Sequence, residues 1–195
     1  MHLLKRYEGL ALYGMTHTPT HCWWGNQVTE SGRLLLIVSC SQRKRPDPGL
    51  LPALNRYDGG HFRILRKARR EGYWPETMDM RILSAKHGLL AGSTPITNYD
   101  QKITRDRANE LHSQVLQVLQ TCARQNTYRE VYVDLGRDYQ AAIEGLTQVF
   151  NGSRVVYAKG RIGQRLAQLR SWLVSQYREG IDVGESFGRM REWIS

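Results

Sequence analysis

The chain alternates between short apolar runs and longer stretches in which apolar residues recur with helical spacing. Four apolar runs are typical of strands and lie at residues 34–39, 79–84, 130–135 and 154–158. Four stretches of helical periodicity follow them, at residues 61–71, 104–124, 138–150 and 162–177. Because strands that alternate with helices form βαβ units, the pattern predicts an α/β fold. We expect a three-layer α/β/α sandwich with a four-stranded parallel sheet.

The regular pattern begins only near residue 34, which divides the chain into two parts. Residues 1–33 show neither strand nor helix periodicity and are predicted to form an irregular N-terminal arm. Residues 34–195 are predicted to form a single α/β domain, because the chain has no internal repeat and one domain usually has ~100–200 residues. We interpret this domain as the catalytic one and expect a monomer.

The charge of the chain is strongly positive. Lys and Arg number 28 against 18 Asp and Glu, which gives a formal net charge of +10. Such an excess favours a polyanionic partner, of which nucleic acid is the commonest. Four cations recur with helical spacing and share one face of the predicted helix 61–71, namely Arg63, Arg66, Lys67 and Arg70. This face suits phosphate contacts, although a solvated helix surface has the same pattern.

Several classes of protein are excluded by pattern. No run approaches the ~18 consecutive apolar residues of a membrane span, and the first residues lack the apolar segment of a secretion signal. The three cysteines are scattered and odd in number, which argues against a disulfide framework or a four-cysteine metal site. No phosphate-binding or dinucleotide-binding motif is present. We therefore expect a cytoplasmic protein without metal or cofactor and without membrane attachment.

The ends of the predicted strands mark where chemistry is expected. In open parallel sheets, ligands bind beyond the carboxyl ends of the strands. Four segments rich in Gly, Lys, Arg and small polar residues follow the strands, at residues 40–44, 85–88, 136–139 and 159–163. Together they predict a cationic rim that accepts a nucleotide or a phosphate backbone.

Individual residues in these segments each have a structural alternative. Lys86 and His87 directly follow a strand, where a functional role is common. Asp100 is a candidate catalytic carboxylate, but turn formation or helix capping explains it equally well. Asp134 lies within a strand and needs a partner there, so it is either structural or catalytic. Cys40 is a candidate nucleophile or simply a small buried residue.

Five motifs in the chain resemble a bacterial and phage family long labelled a domain of unknown function. They are VSCSQRK (38–44), YDGGHF (57–62), ILSAKHGLL (82–90), YD (99–100) and GRIGQR (160–165). The resemblance covers about residues 34–173. This family is similar to the catalytic core of archaeosine synthase and, more remotely, to the uracil-DNA glycosylase superfamily, which has a three-layer α/β/α fold with a four-stranded parallel sheet.

The resemblance implies a DNA glycosylase that flips a modified base out of phage DNA and excises it by hydrolysis, in antiphage defence. Glucosylated hydroxymethylcytosine is one candidate base. The Gly-Gln-Asp-Pro-Tyr-like turn of ordinary uracil-DNA glycosylases is absent, and Ser41-Gln42-Arg43-Lys44 stands in its place. Uracil is therefore a poor candidate substrate, and the catalytic carboxylate has to come from elsewhere.

The glycosylase hypothesis assigns roles along the chain. Asp100 or Asp134 stabilises the developing positive charge on the sugar, and Lys86 or His87 donates to the leaving base. Residues expected to bind the flipped base are Cys40, Ser41, Gln42, Tyr57, Phe62, Tyr99, Arg137 and Tyr139. Residues expected to hold the DNA backbone are Lys44, Arg63, Arg66, Lys67, Arg70, Lys159 and Arg161. Attack of Lys86 on the sugar to form a Schiff base is an alternative branch.

Two further hypotheses belong to other classes. The first is an enzyme that modifies a 7-deazaguanine-type base in nucleic acid, with Cys40 as nucleophile, as the resemblance to archaeosine synthase implies. The second is a non-catalytic basic DNA-binding protein, for which the cationic helix face suffices.

Overall fold

The computed structural model describes residues 32–192. Most of the predicted N-terminal arm, 1–33, lies outside the described residues. Seven strands are present in the described part: β1 Arg33–Ser39, β2 Leu51–Pro52, β3 Met78–Ser84, β4 Gly88–Ala91, β5 Pro95–Ile96, β6 Tyr128–Asp134 and β7 Arg154–Tyr157. The α-helices of this part are α1 Ala53–Arg56, α2 Gly60–Arg70, α3 Arg105–Gln125, α4 Leu146–Val149 and α5 Ile162–Glu192.

The main sheet has five strands in the order β4-β3-β1-β6-β7. β3, β1, β6 and β7 run parallel to one another, which confirms the four strands predicted from the apolar runs. The prediction of a four-stranded sheet is wrong, because Gly88–Ala91 folds back as an antiparallel strand against β3. Gly88 makes this reversal with φ of +70°, a backbone conformation that glycine adopts without strain.

Helices pack on both faces of the sheet, as β1 shows. Leu34, Leu36 and Val38 point into one core with α2 and α5, whereas Leu35 and Ile37 point into a second core with α3 and α4. Alternate side chains of a strand face opposite sides, so a fully apolar strand fills both cores. The predicted α/β class is therefore confirmed.

Two predicted helices differ from the structure. The stretch 138–150 forms a 3₁₀ helix, Arg137–Ile143, and then the single turn of α4. Gly145, with φ of +86°, separates the two because α-helical residues need negative φ. The last helix, α5, begins at Ile162 as predicted but extends to Glu192. No helix of the described chain is long and apolar enough to cross a membrane.

The loop after β1 is held by a buried arginine. Arg56 is fully buried, and its guanidinium donates hydrogen bonds to the carbonyl oxygens of Arg45 at 2.7 Å, Asp47 at 2.8 Å and Gly49 at 2.6 Å. A longer bond of 3.4 Å reaches Ile96 O in β5. Each donor thereby satisfies a loop carbonyl that secondary structure leaves unpaired. This loop leads from β1 to the residues of the candidate site.

Substitution Arg56→Met is expected to lower the free energy of unfolding by about 3 kcal/mol, because several carbonyls lose a charged donor at once. Urea denaturation measures the change. Arg45→Met is the matched control, since Arg45 pairs with Asp47 at the surface, and it should leave the midpoint unchanged. An Arg56→Met protein with the wild-type midpoint would contradict the role given to this arginine.

Candidate active site

Three neighbouring strands replace apolar by polar residues at their carboxyl ends. β3 ends at Ser84, β6 ends at Asp134, and Cys40 directly follows β1. All three continue the alternate positions that face the core of α2 and α5. Cys40 is held next to β3, because its amide donates to Leu83 O at 2.9 Å. A row of polar side chains, Ser84, Cys40 and Asp134, thus crosses one edge of the sheet.

A hydrogen-bond network starts at Ser84. Its hydroxyl oxygen accepts bonds from the amides of Lys86 at 3.2 Å and His87 at 3.1 Å. With both lone pairs occupied, the Ser84 hydroxyl donates to the Tyr99 oxygen, 2.7 Å away. Tyr99 in turn lies 2.6 Å from the hydroxyl of Tyr57. Burial raises the pKa of Tyr57 to about 12 and raises that of Tyr99 as well, so both phenols stay protonated.

Cys40 has its own aromatic partner. Its Sγ lies 3.1 Å from the hydroxyl of Tyr139, which comes from the 3₁₀ helix after β6. Burial raises the pKa of Tyr139, so this phenol is neutral at physiological pH. Cys40 itself is partly exposed. The thiol therefore borders a space that a ligand can enter.

Cationic and titratable groups surround the Tyr99 ring. The Lys44 ammonium lies 4.2 Å from the ring centre and that of Lys86 lies 5.4 Å away. The His87 ring meets Tyr99 edge-on, with 5.1 Å between centres. Burial lowers the pKa of His87, and the nearby Lys86 charge lowers it further, so His87 is neutral at pH 7. The ring of Tyr99 is the centre of this arrangement.

Two adjoining pockets open at this edge, and Gln42 lines both. We name them after one residue in each. The Tyr99 pocket, about 460 Å³, is lined by Gln42, Lys44, Asn98, Tyr99 and Asp100. The Cys40 pocket, about 230 Å³, is lined by Cys40, Ser41, Gln42, Gln101, Lys102, Ile103, Asp138 and Tyr139.

A third pocket of about 570 Å³ lies beyond the ends of β6 and β7. It has arginines and one exposed tyrosine among its lining residues, namely Arg105, Arg137 and Tyr157. Arg137 was predicted to bind the base, and the structure places it in this third pocket rather than beside Tyr99.

The two candidate carboxylates have opposite surroundings. Asp134 is fully buried; Oδ2 lies 2.7 Å from His61 Nε2, and Oδ1 accepts a 2.6 Å bond from Arg165 Nε. Burial alone would raise the pKa of Asp134, but these partners lower it below its usual value. Asp100 is exposed and forms no hydrogen bond or ion pair with any side chain that the structure describes, those of residues 32–179. A ligand in the Tyr99 pocket thus has access to Asp100 alone of the two.

The structure gives several predicted site residues another environment. Phe62 is fully buried and packs on Tyr57 with 5.0 Å between ring centres. Ser41 Oγ accepts from the Gly59 amide at 3.1 Å and so joins two loops. Lys159 and Arg161 are exposed at the start of α5, away from the residues that line either small pocket.

The predicted cationic face of α2 is largely occupied by ion pairs. Arg66 donates to Asp58 at 2.8 Å and to the carbonyl of Tyr57 at 2.7 Å. Arg63 also pairs with Asp58, at 3.3 Å. The end of the helix carries Lys67 and Arg70, both of which lie within 4 Å of a Glu71 oxygen. These cations of α2 are therefore largely paired with nearby acidic side chains. The helix face has fewer cations free to contact phosphate than the sequence spacing predicted.

Several residues at this edge were not predicted. Ser84 and His61 stand inside the ILSAKHGLL and YDGGHF motifs, so the motifs were the signal for them. Asp138, which lines the Cys40 pocket, lies in the 3₁₀ helix and within the segment 136–139 that the sequence marked. Gln101 and Lys102 are exposed loop residues that line the same pocket. Nothing in their local sequence distinguishes them from other surface residues.

Replacing each carboxylate separately is expected to show which one holds the fold. Asp134→Asn leaves Arg165 without its buried counter-charge and should lower the free energy of unfolding by about 3 kcal/mol at neutral pH. Asp100→Asn should leave it unchanged, because the side chain is exposed. Chemical denaturation of both variants measures this.

The pH dependence has a defined sign. The pKa of Asp134 is lower in the folded protein, so its stabilising contribution is complete above about pH 4 and is lost as the pH falls through the folded value. The difference between wild type and Asp134→Asn should shrink in acid. An unchanged difference down to about pH 2 would contradict the ion pair.

Comparison with known proteins identifies a family and no activity. No curated protein matches the chain. The crystal structure of AF0587, a protein of unknown function, is similar with a TM-score of 0.45 and 16% identity, over 73% of this chain and 45% of that one. This chain thus spans less than half the length of that protein. Neither comparison points to a uracil-DNA glycosylase or an archaeosine synthase. Residues 35–171, more than half of the chain, match a family of unknown function, DUF6884, and the chain belongs to that family.

Proposed function

We propose that this protein is a DNA glycosylase that takes a flipped, modified base into the Tyr99 pocket and hydrolyses its N-glycosidic bond. The observation that carries this proposal is the unpaired Asp100 carboxylate on the same pocket as the Tyr99 ring. Bases in phage DNA that carry bulky modifications are the candidate substrates, and defence against phage is the candidate role.

The size and lining of the pocket support a base as ligand. About 460 Å³ is within the ~300–1,000 Å³ of small-molecule sites. Enzymes that act on a base extrude it from the duplex, stack it on aromatic side chains and read its edge by hydrogen bonds. Tyr99 provides the ring, while the side-chain amides of Gln42 and Asn98 provide donors and acceptors.

Asp100 is assigned to the charge that develops on the sugar. Cleavage of an N-glycosidic bond gives the sugar oxocarbenium character, which a nearby carboxylate stabilises. The same carboxylate accepts a proton from the attacking water. Asp134 has no such role in this scheme, since both of its oxygens are engaged and it is inaccessible to solvent.

The departing base takes its proton from Lys86. His87 is neutral at pH 7, because burial lowers its pKa, and it therefore offers a hydrogen bond rather than a charge. Lys86 is exposed and its ammonium lies 5.4 Å from the centre of the Tyr99 ring. Exposed cations nearby, Lys102 and Arg105, are assigned to the flanking phosphates.

The proposal is tested by incubating the protein with phage DNAs that carry different modified bases and identifying the released molecules by mass spectrometry. Wild type should release a free modified base and leave alkali-labile sites. Asp100→Asn should reduce the rate by a factor of about 10²–10³, because an electrostatic stabiliser of the transition state is lost. Unmodified DNA is the substrate control.

The alternatives give other results. DNA held in a salt-sensitive complex without any released base would leave a non-catalytic DNA-binding protein. A base whose mass changes while it stays attached would indicate the 7-deazaguanine-type chemistry instead. Either result contradicts the glycosylase.

Base modification with a cysteine nucleophile is the second candidate, favoured by the partly exposed Cys40 thiol at the second pocket. Cys40→Ala separates the two functions, because only the second requires the thiol. Base release should persist in Cys40→Ala at a rate close to that of wild type. Loss of all activity in a variant that retains the wild-type denaturation midpoint would favour the cysteine mechanism.

A further inference from the structure

Lys44 is the amine that the proposed hydrolysis leaves unused, and its position is unusual for a lysine. Its ammonium lies 4.2 Å from the centre of the Tyr99 ring and 5.9 Å from that of Tyr57. From the sequence, Lys44 was expected to hold the DNA backbone. The structure instead folds its side chain over the aromatic floor of the Tyr99 pocket.

The backbone fixes this placement. Lys44 forms an isolated antiparallel bridge with Tyr57, so its Cα is tied to the residue on whose ring its side chain lies. Its Nζ also donates a 3.3 Å bond to Gln42 O in the same loop. A lysine held in this way loses less conformational freedom when it reacts than a freely moving one.

We infer that Lys44 forms a Schiff base with the abasic sugar and cleaves the DNA strand, so that the protein is an abasic-site lyase as well as a glycosylase. The inference rests on the proposed function, because the sugar left by base excision would remain in the pocket that Lys44 lines. The sequence had suggested Lys86 as the amine that attacks the sugar. Lys86 is exposed, farther from Tyr99, and outside the residues that line the pocket.

The chemistry balances with water as the only other reactant. The Lys44 nitrogen lone pair adds to the C1′ aldehyde of the ring-opened sugar, and water leaves as the C=N bond forms. Asp100 accepts a proton from C2′, and the freed electron pair breaks the C3′–O bond, so the 3′ phosphate leaves with the rest of the strand. Water then hydrolyses the imine, which restores the amine and releases the unsaturated sugar aldehyde.

The local electrostatics agree with this assignment. Burial lowers the pKa of Lys44, and the nearby Asp100 carboxylate offsets only part of the effect. A larger fraction of its amine is therefore neutral and nucleophilic than for a lysine in water. Asp100 lines the same pocket, which places a proton acceptor beside the amine.

The test uses oligonucleotides that already contain one abasic site, with sodium borohydride to reduce any imine to a stable amine. Wild type should give a covalent protein–DNA adduct, and peptide mass spectrometry should locate it at Lys44. Without borohydride, the strand should be cut on the 3′ side of the abasic site. Lys44→Met and Lys44→Arg should both reduce trapping to background, although the second retains the positive charge.

Arg124→Met is the control for loss of one surface cation, because Arg124 is exposed at the end of α3 and donates to Thr121; its trapping should equal that of wild type. Chemical denaturation of the Lys44 variants must give the wild-type midpoint, and Lys44→Arg covers the case in which Lys44→Met does not fold. An adduct on Lys86 or Lys102, or undiminished trapping by Lys44→Arg, would overturn the inference.

Base release from intact modified DNA is measured in parallel with the trapping experiment. Release of the base without a trapped adduct would overturn only the lyase inference. If neither base release nor an adduct is observed, the glycosylase proposal is overturned as well. An adduct at Lys44 without release of a base would support the lyase activity and contradict the glycosylase proposal.

Discussion

The Asp134 carboxylate has no contact with water, so the fold has to supply its polar partners from elsewhere in the chain. His61 and Arg165 do this from the first turns of α2 and α5. One buried acid on the central part of the sheet therefore fixes where two helices begin. The approach is close, because a Cβ on Gly60 would lie 2.8 Å from a methyl group of Leu166 in α5. A side chain at Gly60 would require the Leu166 side chain to move.

Two buried polar side chains at this edge of the sheet, Asp134 and Ser84, are satisfied in different ways. Asp134 is fully buried and is held by Arg165 and His61, so a substrate does not reach it. Ser84 instead forms a hydrogen bond with Tyr99, which also bonds to Tyr57. Tyr99 lines a pocket, so a ligand can reach this end of the polar row. The buried group and the groups open to a ligand are thus separate, although only β1 lies between their strands.

The fold was predictable where the hydrophobic pattern of the sequence alone determines how a segment packs. An unbroken apolar run such as 34–39 has to be covered on both faces, and this requirement led to the sandwich of helices around β1. The strand Gly88–Ala91 was missed because four residues carry too little periodicity, and the break at Gly145 because a helical pattern does not report φ. Tyr99 and Asp100 were predicted from their motif. The environment of Lys44 was not predictable, because it depends on a bridge to Tyr57 that local sequence does not specify.

The strands at the two sides of the sheet, β4 and β7, have four residues each, whereas the three inner strands have seven. A strand that borders solvent presents unpaired amides and carbonyls, to which another chain can add by backbone pairing. Four residues offer few such groups, and an added strand would gain correspondingly few hydrogen bonds. Within the described residues, the sheet is therefore poorly suited to edge-to-edge aggregation, even though its interior strands are among the most apolar segments of the chain.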